Sequence, residues 1–458
     1  MDASDVQCVD ALCATLPCVK LLQPPECHLL GAPLTEEALL PALEEKVEDV
    51  ARLVSRLPSL QAHTSLFLLR NCLSIPKLVY SLRSAPAFRA MDQLAKFDYL
   101  MRQGLEKLLN VPLDDDAWLQ ATLPVSRGGL GIRSAQSLSI PAFLASTACT
   151  AELVSSLLND FPPIPDPVRA QALKTWTEIT GVTEEPVSRY QRMWDLPVLE
   201  MQSTRVAESI ITTEGKARLL ASLRKESGAW LAALPNPNLG NFLDNQSLRI
   251  AVCLRLGLPM CHPHTCKCGE AVDKFGIHGL SCRFMAGTSS RHTEINSVLK
   301  RALASARVNA ITEPEGLFRE DGKRADWLTL IPWANGKCLV WDATCSDTIC
   351  KTYIHASSRV AGSAAERREK QKRSLYQSLG NNYVFCPFAV ETLGTFGEES
   401  ISLVHELGRR IRSETGEARS RLFLTQRISI AIQRGNAISI LSTFPDHSSK
   451  QLSEIFYL

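Results

Sequence analysis

Two groups of side chains in this 458-residue sequence have the types and spacing that bind metal ions. The first is Cys266-Lys-Cys268, then nine residues, His278, three residues and Cys282. Three thiolates and one imidazole are enough to close a tetrahedral Zn²⁺ shell, and four protein ligands leave no water position, so the zinc expected here is structural. Gly269, Gly276 and Gly279 give the chain the freedom to wrap a small ion. Cys261, His262 and His264 stand close enough to substitute, so spacing alone leaves the ligand set open, and reduced buried cysteines are the alternative reading.

The second group is a pair of carboxylates. Asp326 precedes the apolar run Trp327–Ile331, and Asp342 closes the run Cys338–Trp341 with fifteen residues between the two. Strands paired as a hairpin bring such side chains together. Hydrolysis of a phosphodiester needs a metal to activate water and to neutralise phosphate charge, and hard carboxylate oxygens suit Mg²⁺. A lysine is also wanted there, but Thr344 stands two residues after Asp342, and the helical stretch Glu366–Tyr376 could supply one. Between Glu366 and Arg373 that stretch carries five basic residues against two acidic, either a solvated face or a phosphate contact. On spacing alone, an Asp at each end of a hairpin is more often a solvated turn residue than a catalyst.

The elements that must position these residues follow from the apolar periodicity. Leu43, Val47, Val50, Leu53, Val54 and Leu57 predict an amphipathic helix opened by Pro41 and ended by Pro58. Further helices are expected over Ser65–Leu73, Lys77–Arg83, Ala90–Leu109 and Ser134 to about Asn159, interrupted by the turn-rich Leu123–Ile132. Leu113-Asp-Asp-Asp116 reads as a helix N-terminus, where acidic residues meet the macrodipole. The prolines of Phe161–Pro167 mark a linker. Helical patterning continues from Val168 to Trp230, breaks at Pro235–Gly240 and resumes over Leu248–Leu256. From Arg291 the expectation is a helix to Ala306, strands near Val308–Thr312, Trp327–Ile331 and Cys338–Trp341, a helix over Ala361–Leu379, a strand over Tyr383–Val390 and a last helix near Ser400–Arg412. Ala334-Asn-Gly-Lys337 is a hairpin turn signal.

Bulk properties set the frame. The chain is 45% apolar and 21% charged, a globular composition, and its length fits two to four domains. A formal net charge of +2 gives no global basic field, so any nucleic-acid surface must be local. The cysteines number fifteen, an odd count, and five of them crowd around the first metal motif, which favours metal over disulfides. The first twenty residues carry acidic groups and no unbroken apolar core, so neither a signal peptide nor a membrane span is expected there. The expected compartment is nuclear or cytoplasmic, away from membranes.

A Cys/His knuckle, a helix, Lys323-Arg-Ala-Asp326 and then Val340-Trp-Asp342-Ala-Thr together resemble the C-terminal restriction-like endonuclease of non-long-terminal-repeat retrotransposons, a PD-(D/E)XK-type nuclease that nicks target DNA for reverse transcription. Cys386–Gly394 and Leu424–Gln433 look like the same family. Leu73–Leu78 and Leu123–Ile132 resemble the thumb-like helices of such polymerases, so the likeness covers most of residues 30–440.

The resemblance implies an α+β, mostly helical chain: a thumb-like bundle (1–160), a helical linker region (161–250), a zinc knuckle (251–290) and a restriction-endonuclease-like core (291–445). It implies Asp326 and Asp342 as Mg²⁺ ligands, Lys372 as the displaced lysine with Tyr376 one turn on, and Glu294 as a further member of the site. Arg324, Arg367, Arg368 and Arg373 are the phosphate contacts expected toward DNA, with RNA as a second candidate. Two departures stand out: Ala325 replaces the usual proline, and the lysine has left its usual strand. No Tyr- or Phe-x-Asp-Asp polymerase motif is present, so the chain is expected to be the C-terminal part of an element polyprotein, a truncated copy or a domesticated derivative. An inactive nucleic-acid-binding remnant and a helical interaction protein are the competing readings.

Overall fold

The computed structural model describes residues 22–158, 165–186, 190–284, 287–314 and 324–444, together with Thr15, as a mostly helical α+β chain. In order, the helices are α1 (Glu36–Val54), α2 (Ala62–Leu68), α3 (Ile75–Ser84), α4 (Met91–Leu109), α5 (Asp115–Thr122), α6 (Ala135–Leu157), α7 (Pro167–Thr180), α8 (Gln191–Ser209), α9 (Thr213–Ser222), α10 (Asn245–Leu256), α11 (His278–Ser281), α12 (Gly287–Ser305), α13 (Ile354–Ser357), α14 (Ser363–Leu375), α15 (Glu398–Thr415) and α16 (Ser420–Leu441). The strands are β1 (His28–Leu29), β2 (Ala32–Pro33), β3 (His264–Thr265), β4 (Ala271–Val272), β5 (Ala310–Thr312), β6 (Trp327–Thr329), β7 (Leu339–Ser346) and β8 (Val384–Glu391). The chain divides into two compact units: Met1–Val54, Leu73–Leu100 and Ser134–Leu199 form the first, and Ser55–Cys72, Met101–Arg133 and Glu200–Leu458 the second.

The first unit is helical around Phe88, Phe143, Leu144, Trp176, Trp194 and Val198. The Trp176 indole N–H donates to the Trp194 carbonyl at 3.0 Å, which satisfies its one donor inside the core. Helix α1 begins at Glu36, not at Pro41: the Thr35 hydroxyl accepts from the Ala38 amide at 3.3 Å, acidic residues fill the first turn, and Pro41 lies within the helix. Ser134 caps α6 by accepting from the Ser137 amide at 3.2 Å, and buried Asp98 accepts from the Ala135 amide at 2.7 Å. By length and composition α6 could cross a membrane, but Ala135 and Leu138 to Ala145 are buried in the fold. Of the proline-rich linker, residues 161–164 lie outside the described residues, and Pro167 takes the first position of α7.

In the second unit Asp114 caps α5 by accepting from the Ala117 amide at 2.8 Å, so the Asp114–Asp116 run is a helix start, as its composition implies. The core sheet has the order β5-β6-β7-β8, with β5, β6 and β7 antiparallel and β7 parallel to β8. Asn335 and Gly336 both have positive φ, 50° and 73°, and turn the chain between β6 and β7 as the Asn-Gly pair predicts. Leu339, Trp341 and Ala343 point to one face, where they pack with Ile295, Leu299, Leu407 and Ile428 of α12, α15 and α16. Val340 and Phe385 point to the other, against Tyr376 at the end of α14. The two-residue period therefore sets Asp342 on the α14 face.

Two expectations are corrected. Asp342 does not close its strand: β7 runs four residues further, because beyond Trp341 it keeps pairing with β8 through Ser346. The last described helix is α16 and not the one near Ser400–Arg412. Buried residues occur on all sides of α16, including the consecutive run Ile428–Gln433, so it carries no 3.6-residue alternation to read.

Candidate metal centres

The Cys/His motif folds as a small hairpin followed by one helical turn. β3 and β4 pair antiparallel, the Cys266 amide donates to the Glu270 carbonyl at 2.8 Å, and Gly269 closes the turn at φ 91°. Helix α11 then presents His278 and hands the chain to Cys282. Cys266 Sγ and Cys282 Sγ lie 3.9 Å apart, and Cys268 Sγ lies 3.2 Å from His278 Nε2. One donor atom from each of the four falls within 4.8 Å of the others. Zn–S bonds of about 2.3 Å in a tetrahedron set the sulfurs about 3.8 Å apart, so the donor set and spacing suit an ion such as zinc. The alternative ligands are occupied elsewhere. The Cys261 thiol faces the Asp273 carbonyl at 3.3 Å, and burial pushes it up to about 11. His264 bonds the His262 carbonyl and the Thr443 hydroxyl, each at 2.9 Å, and stacks on Phe444.

The carboxylates meet by register. Trp327 pairs with Trp341 and Leu328 with Val340, and one further step sets Asp326 opposite Asp342 where the two strands part. Asp326 Oδ2 accepts from the Ala343 amide at 2.6 Å, from Asn296 Nδ2 at 3.1 Å and from His292 Nε2 at 3.0 Å. Its Oδ1 has no hydrogen-bond donor among the described residues. Donor atoms of His292, Asp326 and Asp342 all lie within 4.8 Å of one another. Lys372 Nζ lies 2.5 Å from Asp342 Oδ1; the Asp342 side chain is buried and that of Lys372 half-buried, 8% and 15% exposed. The Tyr376 hydroxyl donates to the Arg324 carbonyl at 3.1 Å and also faces Asp342.

The electrostatics follow from these contacts. Burial raises the Asp326 carboxyl, but the hydrogen bond and charge of His292 together with the Ala343 amide outweigh it and hold the group below its ordinary value. His292 is raised in turn, first by its bond to Asp326 and against burial. Burial pushes Asp342 up, against the pull of Lys372. Asp326 is thus held as the carboxylate, while Asp342 lies against the Lys372 ammonium.

Helix α14 is held in place by two buried carboxylates. Glu391, at the end of β8, accepts from the Ala364 and Ala365 amides at 2.9 and 3.1 Å, where the helix dipole favours negative charge. Glu369 of α14 accepts from the Ser400 amide at 3.1 Å at the start of α15.

Of the residues singled out from sequence, Asp326, Asp342 and Lys372 come together. Glu294 does not join them: it turns toward Arg434 Nη1 at 4.0 Å. The residue of α12 that reaches Asp326 is His292, with Asn296 one turn on. The signal was present, since His292 falls three residues before Ile295 and seven before Leu299, on the stripe facing the sheet, whereas Glu294 falls off it. Arg367 and Arg368 lie over the Tyr353 ring at 5.6 and 5.9 Å, and Arg373 is paired with Glu399, so its guanidinium is already engaged. Arg324 has an exposed side chain, and Lys323 lies outside the described residues. No protein-family model matches the sequence, and no curated protein matches it either.

Proposed function

We propose that this chain is a divalent-metal-dependent DNA endonuclease of the restriction-like type, derived from the C-terminal part of a non-long-terminal-repeat retrotransposon polyprotein, with a zinc-binding knuckle ahead of the nuclease core. The observation that carries the reading is the 2.5 Å approach of Lys372 to Asp342 beside Asp326. It brings a lysine thirty residues away in sequence to Asp342, where the strand itself has Thr344 and no lysine. Asp326 and Asp342 would hold the ion, and their hard oxygens suit Mg²⁺ or Mn²⁺. When bound, it supplies Lewis acidity toward the phosphodiester and a water of lowered pKa. Asp326 is oriented for this by three donors on its other oxygen. Lys372 offers an ammonium to a phosphate oxygen or to the attacking water, and His292 holds Asp326 ionised. Arg324, Arg367 and Arg368 provide the local positive charge toward the DNA backbone.

The test is nicking of supercoiled plasmid by the purified full chain with Mg²⁺ or Mn²⁺. Nicked circles are expected, falling to background in Asp326→Ala and by roughly 10²–10³-fold in Lys372→Met, the usual loss for one charge-stabilising donor. Intact plasmid with salt-sensitive binding would give the inactive-remnant reading instead, and cutting by Asp326→Ala at the wild-type rate would remove the assignment.

A further inference from the structure

Arg291, next to His292 on α12, is 1% exposed and faces no solvent. Its Nη2 donates to the Leu280 carbonyl at 3.0 Å, inside the α11 turn between His278 and Cys282. Its Nη1 donates to the Ser439 hydroxyl at 2.7 Å and lies 3.3 Å from Asn436 Oδ1, both on α16. The Cys345 thiol and the Asp347 carboxylate, at the end of the strand that carries Asp342, lie in its field, and the Ser281 hydroxyl faces Asp347 as well. One guanidinium thus touches the Cys/His turn, the spine helix α16 and the end of β7, while the next side chain along α12 orients Asp326.

The packing around it is built for close approach. A Cβ on Gly435 of α16 would collide with Arg291, one on Gly287 of α12 with Ser439, and one on Gly279 of α11 would come within 2.9 Å of Ile440 Cα. Glycine at each point makes room for the neighbouring helix: for the Arg291 side chain at Gly435, for Ser439 at Gly287 and for the backbone of Ile440 at Gly279. The end of α16 also seats the hairpin, through Thr443 and Phe444 on His264. Arg291 Nε and Asp347 Oδ2 are buried with no hydrogen-bond partner among the described residues.

We propose that Arg291 is a positioning residue that couples the Cys/His cluster to the carboxylate site: metal in the cluster fixes α11, Arg291 transmits that position to α12 and to the end of β7, and His292 and Asp326 are set by it. Its functional meaning rests on the endonuclease reading, but the coupling itself does not. The experiment uses full-length protein carrying histidine with labelled imidazole rings, the His292 signal being assigned with His292→Gln. Arg291→Met is expected to keep its zinc, measured by metal analysis, while the His292 ring signal moves at fixed pH. Cys268→Ala is expected to lose zinc and move the same signal. Arg291→Lys, which keeps a donor for the Leu280 carbonyl, is expected to restore part of the wild-type position. Mn²⁺ affinity, read by electron paramagnetic resonance, is expected to fall about 10–100-fold in Arg291→Met, the range for groups that orient metal ligands. A His292 signal unmoved by zinc loss in Cys268→Ala overturns the coupling, even if Arg291→Met does not fold. Wild-type protein that takes up no Mn²⁺ while its His292 signal still responds to zinc removes the endonuclease reading and leaves the coupling standing.

Discussion

The two clusters differ in how the chain makes them. The Cys/His group comes from Cys266–Cys282, one hairpin and one helical turn, and its donors face chiefly one another. The carboxylate group draws on α12, the approach to β6, the middle of β7 and α14, and its side chains already have partners in His292, Asn296 and Lys372. The first lacks a core of its own, since Cys266, Val272 and Cys282 are its only members buried together among the described residues. The second sits on the four-stranded sheet, which packs against α12, α15 and α16. A local cluster of this kind would depend on an ion to hold its shape, whereas a cluster assembled by a fold is held by the fold's own contacts.

The largest expected effect breaks that comparison if it fails. Stripping zinc from the Cys/His cluster should lower the melting temperature of the second unit by roughly ten degrees or more, part of the about 10–16 kcal/mol that structural zinc contributes in isolated finger peptides. The contacts of α16 with the hairpin make the loss smaller than that full range. Removing Mg²⁺ should leave the melting temperature almost unchanged, because Lys372 and His292 already neutralise the carboxylates. Calorimetry with and without each metal checks both halves. A metal-free protein equally stable in the two comparisons would mean that the Cys/His cluster is a set of reduced cysteines.

A smaller effect concerns pH in the absence of divalent metal. His292 is held above its ordinary 6.5, so the stability it contributes is fully present below that pH and is lost as pH rises through its folded value. Asp326 is held below its ordinary 3.8, so its contribution is present above that pH and is lost as pH falls through its folded value. Asp342, raised by burial, acts in the opposite sense from Asp326, gaining stability on the acid side. Stability of the metal-free protein should therefore decline on the alkaline side of about 6.5, and His292→Gln should flatten that limb. Denaturant titrations across roughly pH 5 to 9 check it, and an alkaline limb that persists in His292→Gln would assign the loss to other groups.

The same contrast explains what was legible in the sequence. Ligands crowded into seventeen residues announce themselves and the Asn-Gly pair announces a turn, but the Ala334–Lys337 pairing carried along the strands would set Asp326 opposite Cys345, so the register that sets it opposite Asp342 comes from the sheet and not from the turn. Lys372 could be named only by resemblance, because no local pattern tells which of five basic residues on α14 points at β7. That choice depends on the parallel β7–β8 pairing and on Glu391 and Glu369 pinning the helix, contacts between residues far apart in sequence. Helix α16 was hidden for the opposite reason: it is buried on all sides, so amphipathic periodicity, the main signal of a surface helix, is missing from it. Arg291 resembles any surface arginine in sequence, and only the glycines at Gly279, Gly287 and Gly435 hint that three helices close around it.

The smallest expected effect is the sharpest test of position within α12. Glu294 and His292 are two residues apart, both titratable and both plausible companions of Asp326 by composition. Two residues turn a helix through about 200°, so they cannot serve the same neighbour. Glu294 pairs with Arg434 at 4.0 Å with both side chains partly exposed, a contact worth about 0–1 kcal/mol. Glu294→Ala should therefore shift stability by less than about 1 kcal/mol and leave Mn²⁺ affinity and plasmid nicking at wild-type levels. His292→Ala should weaken Mn²⁺ binding by about 10–100-fold, since it removes the donor that orients Asp326. Equal losses from the two substitutions would mean that α12 presents a different face to the carboxylates when metal is bound, and the stripe through His292, Ile295 and Leu299 would no longer define the site.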